Sequence, residues 1–298
     1  MNMFAVVLPV GLLLLAGSLF AAYRWRLLAF AGVIPVFAGL TFATASFHDS
    51  FVFLAFSLII GTCIGFLFSG KLTLQNFLIV SSLLCAAAAY GDYAFITKMT
   101  GQDYLMQSKD QAVSLLGSSA SVSDADKALL KERLDQIIPV IKLILPFYYF
   151  LSGLFWASCA YMFFSLVLRK KLAAAKTRIE GIDRFRLSDY MIFVLIAGIA
   201  ATLATMHGRR LVYAVSLNTM LVMATLYTIQ ALGVIKFFLM KKRLPVALLP
   251  STVILVLLLG IEATVFTAML LAGCGALDLW ADFRKLSAPA APADDDID

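Results

Sequence analysis

The chain has 298 residues, of which 62% are hydrophobic and only 14% are charged, and its mean hydropathy is +0.93. Soluble domains carry roughly 25% charged residues, so this composition excludes an ordinary soluble protein. The net charge of +6 does not indicate nucleic-acid binding, because the lysines and arginines lie mostly in the connections between apolar segments.

Apolar runs of about twenty residues recur along the chain. This length suits a helix that crosses a hydrocarbon layer roughly 30 Å thick, whereas barrel strands would alternate apolar and polar residues. We therefore predict an all-α, polytopic transmembrane helical bundle. About eight spans are predicted, at 3–23, 27–46, 51–69, 74–91, 144–168, 189–206, 212–240 and 246–272.

These spans form one predicted transmembrane domain, residues 1–286, followed by a disordered acidic tail, 287–298. The connections after the first, third, fifth and seventh spans together hold thirteen lysines and arginines. Because basic connections stay inside, this face is predicted to be cytoplasmic. We expect a multi-pass protein of the bacterial cytoplasmic (inner) membrane, in contact with lipid, with both termini and the long loop 92–143 outside.

Two connections carry amphipathic patterns. In the outer loop, Ser123 and Asp126 have the spacing of a capping box, and apolar residues then recur at helical intervals up to Ile141. An interfacial helix is predicted there, bent by Pro139 and Pro146 as it enters the fifth span. The basic connection 169–188 has a similar stripe and is predicted to lie on an anionic leaflet.

Glu262 is the most informative side chain of the sequence, because it lies near the middle of the eighth predicted span. An ionised carboxylate costs several kcal/mol in that environment. One interpretation is a site for a ligand, a cation or a proton. The other is a neutral acid that is hydrogen-bonded to a neighbouring helix and serves packing.

A line of polar side chains follows one side of the seventh predicted span: Asn218, Thr225, Thr228 and Gln230. These groups could face Glu262 and complete a polar pocket. Amides and hydroxyls within membranes also serve as hydrogen bonds between helices, so packing is the alternative for this line.

Basic residues inside or beside the spans have two interpretations as well. Arg209 and Arg210, after the sixth span, could collect an anionic ligand at the mouth of a cavity, or could simply meet lipid phosphates. Lys142 and Lys236 lie near span ends and are predicted to extend their ammonium groups to the membrane surface.

The sequence lacks the known catalytic signatures. It contains no HExxH, no GxSxG, no P-loop and no nucleotide-binding glycine fingerprint. Its four cysteines lack metal-ligand spacing and suit helix packing. We therefore expect no enzyme activity, no cofactor and no metal.

Small residues at four-residue spacing mark faces for close helix contact. Gly61 and Gly65 form one such pair, and "CAAAAYG" in the fourth span forms another surface. Faces of this kind pack within a fold or against a partner membrane protein. A partner is therefore one expectation, and nucleic acid is not.

The segment "ALDLWADFRKL" combines a membrane anchor with unexpected acids. Trp280 followed by Arg284 is typical of a span end in the headgroup layer. Asp278 and Asp282 are not needed for anchoring and indicate pairing with basic groups, for which Arg209 and Arg210 are candidates. We interpret Asp278, Trp280, Asp282 and Arg284 as an anchor and structural clasp, with a binding role as the alternative.

This segment, together with "YTIQALGVIKFFLMKKRLP", resembles the YybS-like family of bacterial membrane proteins, although Ala231 stands where that pattern has a glycine. The resemblance covers roughly residues 210–286 and implies no catalytic residues. Members of that family are in turn similar to the substrate-binding S components of energy-coupling-factor transporters, which is a likeness of fold.

The pattern as a whole favours a small-molecule binding or transport component that holds its ligand between the later helices. The alternative is a non-transporting membrane scaffold or regulator, whose working surfaces would be the loops. An enclosed polar cavity at Glu262 would favour the first interpretation, and a filled bundle would favour the second.

Overall fold

The computed structural model describes residues 47–68, 71–101, 103–117, 124–167, 181–206 and 208–284. In these residues the protein is all-helical, with eight α-helices and no strand. The chain divides into two compact units, Met1–Ile179 and Glu180–Asp298. The predicted spans 3–23 and 27–46, most of the basic connection 169–188, and the tail 287–298 lie outside the described residues.

The first unit contains α1 (Phe47–Phe68), α2 (Leu74–Thr100), α3 (Tyr104–Gly117) and α4 (Asp124–Val167). The hydroxyl of Thr73 accepts a hydrogen bond from the backbone N–H of Asn76 and so caps the start of α2. Helix α2 ends at Thr100, nine residues later than the predicted span, and is capped by Gly101, whose φ of 65° only glycine adopts easily.

Close backbone contact between α2 and α4 forms the core of the first unit. A Cβ on Gly153 would lie 2.8 Å from Cys85 Cβ and 3.1 Å from Ser82 Cα, so the two helices can approach this closely only because Gly153 has no side chain. Ser81 and Ser82 are fully buried, and each hydroxyl donates to a carbonyl of its own helix. These residues pack helices and leave no polar group exposed to lipid.

Helix α4 is continuous over 44 residues, with Pro139 and Pro146 inside it. The sequence predicted a separate interfacial helix feeding the fifth span, and the structure joins the two. Helix α3 packs against α4 in the region that precedes this span. The outer loop 92–143 therefore consists largely of helix in its described part.

Asp103 links the connection between α2 and α3 to helix α4. Its carboxylate forms an ion pair with Lys142 and accepts hydrogen bonds from the Tyr93 hydroxyl (3.1 Å) and the Leu105 N–H (3.0 Å). Burial by itself raises the pKa of Asp103, but the hydrogen bonds outweigh burial and hold that pKa below its usual range. Lys142, predicted to extend to the membrane surface, instead has a carboxylate partner.

We expect this ion pair to make stability depend on pH in the acid range. Because the pKa of Asp103 is lowered on folding, its contribution is present above the unfolded pKa of about 4 and is lost as the pH falls through the folded value. The thermal midpoint of Asp103→Asn should therefore lie below that of the unmodified protein at pH 7, and the gap should close towards pH 3.

The control for this measurement is Asp110→Asn, which removes an exposed carboxylate from α3. It should show no comparable gap at pH 7. A gap for Asp103→Asn that stayed constant down to pH 3 would contradict an origin in the carboxylate charge.

The second unit begins with a segment that has a short 3-10 turn at Ile182–Arg184. It continues with α5 (Met191–Thr205), α6 (Arg210–Lys241), α7 (Leu248–Leu258) and α8 (Ile261–Ala281). Helices α5 and α8 both pack on α6, which forms the centre of the unit, and the 3-10 turn also contacts α6.

The predicted eighth span, 246–272, is two helices in the structure. The chain breaks at Gly260, whose φ of 103° is unfavourable for any residue with a Cβ. Helix α7 turns back onto α8 across this break, with the Thr264 hydroxyl donating to the Val256 carbonyl (3.3 Å). The predicted span 246–272 is therefore not one continuous helix, and the described residues do not confirm the predicted count of about eight spans.

Four helical segments are long and apolar enough to cross a membrane: Leu74–Thr100, Lys131–Phe163, Arg210–Lys241 and Ile261–Ala281. Three further apolar helical segments are shorter than a full crossing: Ala55–Leu67, Met191–Thr205 and Leu248–Leu258. All seven lie in the part of the chain that the structure describes.

Helices α6 and α8 run in the same direction. The Thr228 hydroxyl contacts the Ala268 carbonyl, and further along both helices Gln230 contacts Gly275 and Asp278. The end of α8 therefore lies at the same end of the second unit as the basic end of α6. The sequence placed "ALDLWADFRKL" outside on the assumption that 246–272 crosses once, and the break at Gly260 removes this assumption.

We therefore expect the end of α8 on the cytoplasmic face, together with Lys241, Lys242 and Arg243. A reporter fused after Asp298 should be active if it needs the cytoplasm, as green fluorescent protein does, and inactive if it needs export, as alkaline phosphatase does. A fusion in the connection 206–209 should give the opposite pattern. Phosphatase activity of the fusion at Asp298 would instead support the interpretation that residues 246–272 cross the membrane once.

Candidate functional site

Glu262 lies in the first turn of α8, and its side chain is exposed. It lines an open groove of about 390 Å³ together with four apolar residues: Ile261, Val265, Phe266 and Met269. These residues follow one another at helical spacing, so the groove runs along one face of α8. The site is a shallow apolar patch on one helix, with Glu262 at its edge, and it is not the enclosed polar cavity that would favour a ligand-binding component.

The helix break explains why an acid is tolerated at this position. Gly260 caps α8 without a side chain, so the first backbone N–H groups of the helix have no side-chain acceptor from the cap. A carboxylate in the first turn complements these N–H groups and the positive end of the helix dipole. The sequence did not reveal this environment, because the apolar residues continue without interruption across Gly260.

Glu262 differs from the other acids of the second unit in having no cation beside it. The described part of this unit contains five acids, Asp183, Asp189, Glu262, Asp278 and Asp282. Four of them lie within 3.6 Å of a lysine or arginine nitrogen. Among the described residues, Glu262 has neither an ion pair nor a hydrogen-bond partner for its carboxylate.

The predicted polar line on α6 does not line this groove. Asn218 donates to Ala214 O (2.7 Å) and Thr225 donates to Leu221 O (2.9 Å), both within their own helix. Thr228 donates to Ala224 O and also to Ala268 O of α8, at 2.9 and 3.2 Å. Thr228 therefore contributes to contact between the two helices.

Gln230 is fully buried and joins three parts of the second unit. Its Oε1 accepts from the Leu187 N–H (2.9 Å), and its Nε2 donates to Gly275 O (3.0 Å) and to Asp278 Oδ2 (3.2 Å). The amide thereby satisfies a loop N–H and a helix carbonyl at once. These contacts place Gln230 in the packing between α6 and α8.

Arg209 and Arg210 lie at the start of α6 and are exposed. Their expected pairing with Asp278 and Asp282 is not what the structure contains. Asp278 Oδ2 lies 2.5 Å from Arg284 Nη2, and Asp282 Oδ1 lies 3.4 Å from Arg186 Nη1. The reason is the direction of α8, which brings its last turn to the end of the unit where α6 finishes.

The pair Asp278–Arg284 is buried, with 1% and 4% of these residues exposed. Arg284 Nη1 also donates to the Asp183 carbonyl (2.8 Å), so the chain after α8 is tied to the 3-10 turn. Trp280 points away from this contact and is 69% exposed, as a membrane anchor would be.

Three residues of this network were not singled out as pairing groups by the sequence: Asp183, Arg186 and Lys236. Lys236 Nζ lies 2.8 Å from Asp183 Oδ1 rather than extending to the membrane surface. Burial is the largest single effect and raises the pKa of Asp183, but the hydrogen bond from Lys236, a backbone hydrogen bond and the charges of Lys236 and Arg184 together outweigh it, so this pKa lies below its usual range. The position of Lys236 within an apolar run is the sequence feature that could have indicated a carboxylate partner.

The described residues contain no group of three or more His, Cys, Asp or Glu side chains that could hold a metal ion. The chemistry at Glu262 is accordingly that of a single carboxylate in apolar surroundings. Such a site can pair with a cation or take part in a hydrogen bond.

Comparisons with known proteins agree with the membrane character of these helices. A sequence profile described as "Predicted membrane protein (DUF2232)" matches residues 1–279. No curated protein and no solved structure matches the chain. With nearly its whole length matched, the chain belongs to the DUF2232 family of predicted membrane proteins.

Proposed function

We propose that this membrane protein binds a small molecule at the groove on α8 and serves as a binding or transport component. The observation that carries the proposal is Glu262, the acid of the described second unit that has no cation beside it. An ionised carboxylate at the centre of a membrane costs several kcal/mol, and the N-terminus of α8 offsets only part of such a cost. A ligand that complements it would recover part of that cost.

The sequence resemblance supports the same proposal. A YybS-like protein with a fold similar to transporter S components would act in the bacterial cytoplasmic membrane and would depend on a partner for energy. Gly65 and Gly91 support the partner, because no described residue lies within 4 Å of a Cβ added at either position. Faces this open are suited to close contact with another helix.

A membrane scaffold without ligand is the second candidate, and a specific observation favours it. Thr228 and Gln230, which were predicted to face a ligand, hydrogen-bond to α8 instead. The segment before α5 is also held firmly to the helices by Gln230 and Arg284. A scaffold protein would use this end of the second unit, where the segment before α5 is held by Gln230 and Arg284, as its surface for binding other proteins.

Substitution of Glu262 distinguishes the two candidates. Glu262→Gln and Glu262→Ala should fold with the yield and thermal midpoint of the unmodified protein, because the carboxylate supports no contact among the described residues. Both variants should lose a small molecule that co-purifies with the unmodified protein, as measured by mass spectrometry of the extracted ligand.

Asp189→Asn is the matched control, because it removes a carboxylate that is 76% exposed and lies outside the groove. It should retain the co-purified molecule. If the Glu262 variants instead fold poorly and no small molecule is found with any protein, the carboxylate has a structural role and the scaffold is favoured.

A further inference from the structure

We infer that the basic end of α6 binds an anionic phospholipid. The basic end consists of Lys241, Lys242 and Arg243, where α6 finishes and the chain turns towards α7. The lipid phosphate contacts these three cations, and its acyl chains lie along the apolar residues that follow them. This inference does not depend on the Glu262 site, and it adds a lipid as a specific partner of the second unit.

The charges at this end of the second unit leave the basic end without a carboxylate partner among the described residues. All three of its side chains are exposed. The acids nearby already contact Lys236, Arg186 or Arg284 instead: Asp183, Asp189, Asp278 and Asp282. Three consecutive like charges repel one another, so a negative group from outside the described chain relieves this repulsion.

The backbone at Arg243 is a second, independent observation. Its φ is 56°, in the left-handed region that glycine adopts without strain and an arginine does not. The Leu244 N–H donates to Leu239 O (2.9 Å) and the Arg243 N–H donates to Met240 O (3.0 Å). These bonds form the helix-ending motif in which glycine is the usual residue at this position. Strained residues of this kind are concentrated at sites that hold ligands.

The stability of α6 does not explain why an arginine occupies this position. The carbonyl end of a helix favours a basic residue in its last turn, and Lys241 already lies there. A glycine at position 243 would remove the strain and leave Lys241 in place. The charge of Arg243 therefore serves an interaction outside the helix, and its two basic neighbours indicate that the partner is an anion.

The residues after Arg243 favour a lipid over a soluble anion. Leu244, Val246 and Leu248 follow the cations along the chain and are 45%, 39% and 46% exposed. Trp280 of α8 lies at the same end of the unit, and its high exposure is typical of the headgroup layer. A soluble phosphate would leave the apolar side chains uncovered, whereas a phospholipid covers them with its acyl chains. Each lysine or arginine near a membrane surface strengthens attraction to anionic lipid about fivefold.

The fluorescence of Trp280 tests which lipid lies at this end. The chain has three tryptophans, and Trp25→Phe combined with Trp156→Phe leaves Trp280 as the only one. This full-length variant is reconstituted in vesicles of equal amounts of phosphatidylcholine and phosphatidylglycerol, with brominated acyl chains on one lipid at a time. Because bromine quenches tryptophan only at short range, brominated phosphatidylglycerol should quench about threefold more strongly than brominated phosphatidylcholine. Equal quenching by the two lipids would overturn the inference.

A double substitution in the same background assigns this preference to the basic end. Lys241→Gln combined with Lys242→Gln should bring the two lipids to nearly equal quenching, and an unchanged preference would contradict the inference. The matched control, Lys131→Gln combined with Arg133→Gln, removes two exposed cations from α4 and should keep the preference. An excess of glycerol phosphate on both sides of the vesicles should also keep it. Loss of the preference on this addition would identify a soluble anion as the partner and overturn the inference.

Arg243→Gly separates lipid binding from helix stability at this position. In zwitterionic detergent its thermal midpoint should lie a few degrees above that of the unmodified protein, because glycine adopts a φ of 56° without strain. In the vesicles it should lower the preference for phosphatidylglycerol about twofold, because one cation is lost. A lower thermal midpoint would show that the arginine stabilises the helix end, and an unchanged lipid preference would show that it does not contact lipid. Either result would overturn the inference.

Discussion

Replacing Gly275 with alanine is expected to prevent stable folding of the second unit. A Cβ at this position would overlap the backbone carbonyl of Tyr227 and come within 3.2 Å of the Ala231 backbone nitrogen. Backbone atoms of two packed helices cannot move aside as a flexible side chain does, so α6 and α8 would have to separate. We expect a loss of about 3 kcal/mol or more in the free energy of unfolding, seen as a lower thermal midpoint and aggregation in detergent.

Gly273→Ala is the control for this substitution, because it lies two residues earlier on the same helix. Nothing lies within 4 Å of a Cβ added there. This variant should remain within ~1 kcal/mol of the unmodified protein. Equal behaviour of the two variants would show that α6 and α8 do not approach each other as closely as the structure indicates.

Separating the buried pair Asp278–Arg284 should have an effect of similar size. Asp278→Asn leaves the Arg284 guanidinium uncompensated in a site where only 4% of the residue is exposed. Removing one partner of a buried ion pair costs about 3–5 kcal/mol, since the remaining charge stays desolvated. The thermal midpoint and the folded yield in detergent should both fall sharply.

A double substitution tests the cause of this effect. Asp278→Leu combined with Arg284→Met removes both charges and should be milder than either single substitution, because no unpaired charge remains. If the double variant is as unstable as the sum of the singles, the two residues act through separate contacts. The hydrogen bond from Arg284 to the Asp183 carbonyl would then be the first alternative.

Several features of the second unit were predictable from the amino-acid sequence. The apolar runs predicted membrane helices, and α5 and α6 coincide with the predicted spans to within a few residues. The two acids of "DLWADFR" indicated pairing with basic groups, but their partners in the structure are Arg284 and Arg186 and not the candidates Arg209 and Arg210. Local composition was sufficient for the helices because each is defined by residues close in sequence, and it did not identify the partners of the two acids.

The environment of Glu262 was not predictable in the same way. A single apolar window from 246 to 272 conceals the break at Gly260, because hydropathy averages over residues and does not report a positive φ. The partners of Lys236 and Arg186 were equally hidden, since they lie 53 and 96 residues away along the chain. Such pairings depend on the direction in which each helix runs, and the break at Gly260 reverses the direction that the sequence predicted for α8.

The sequence by itself determined that this protein is helical and belongs in a membrane, because burying apolar side chains and pairing backbone groups in lipid leave no other arrangement for these runs. Only the tertiary structure decided which polar side chains pack helices and which acid of the second unit has no cation beside it among the described residues. Gln230 lies against α8, whereas Glu262 lines an open groove. In the sequence both are polar residues within apolar runs. Their environments differ because of where α8 begins and the direction in which it runs.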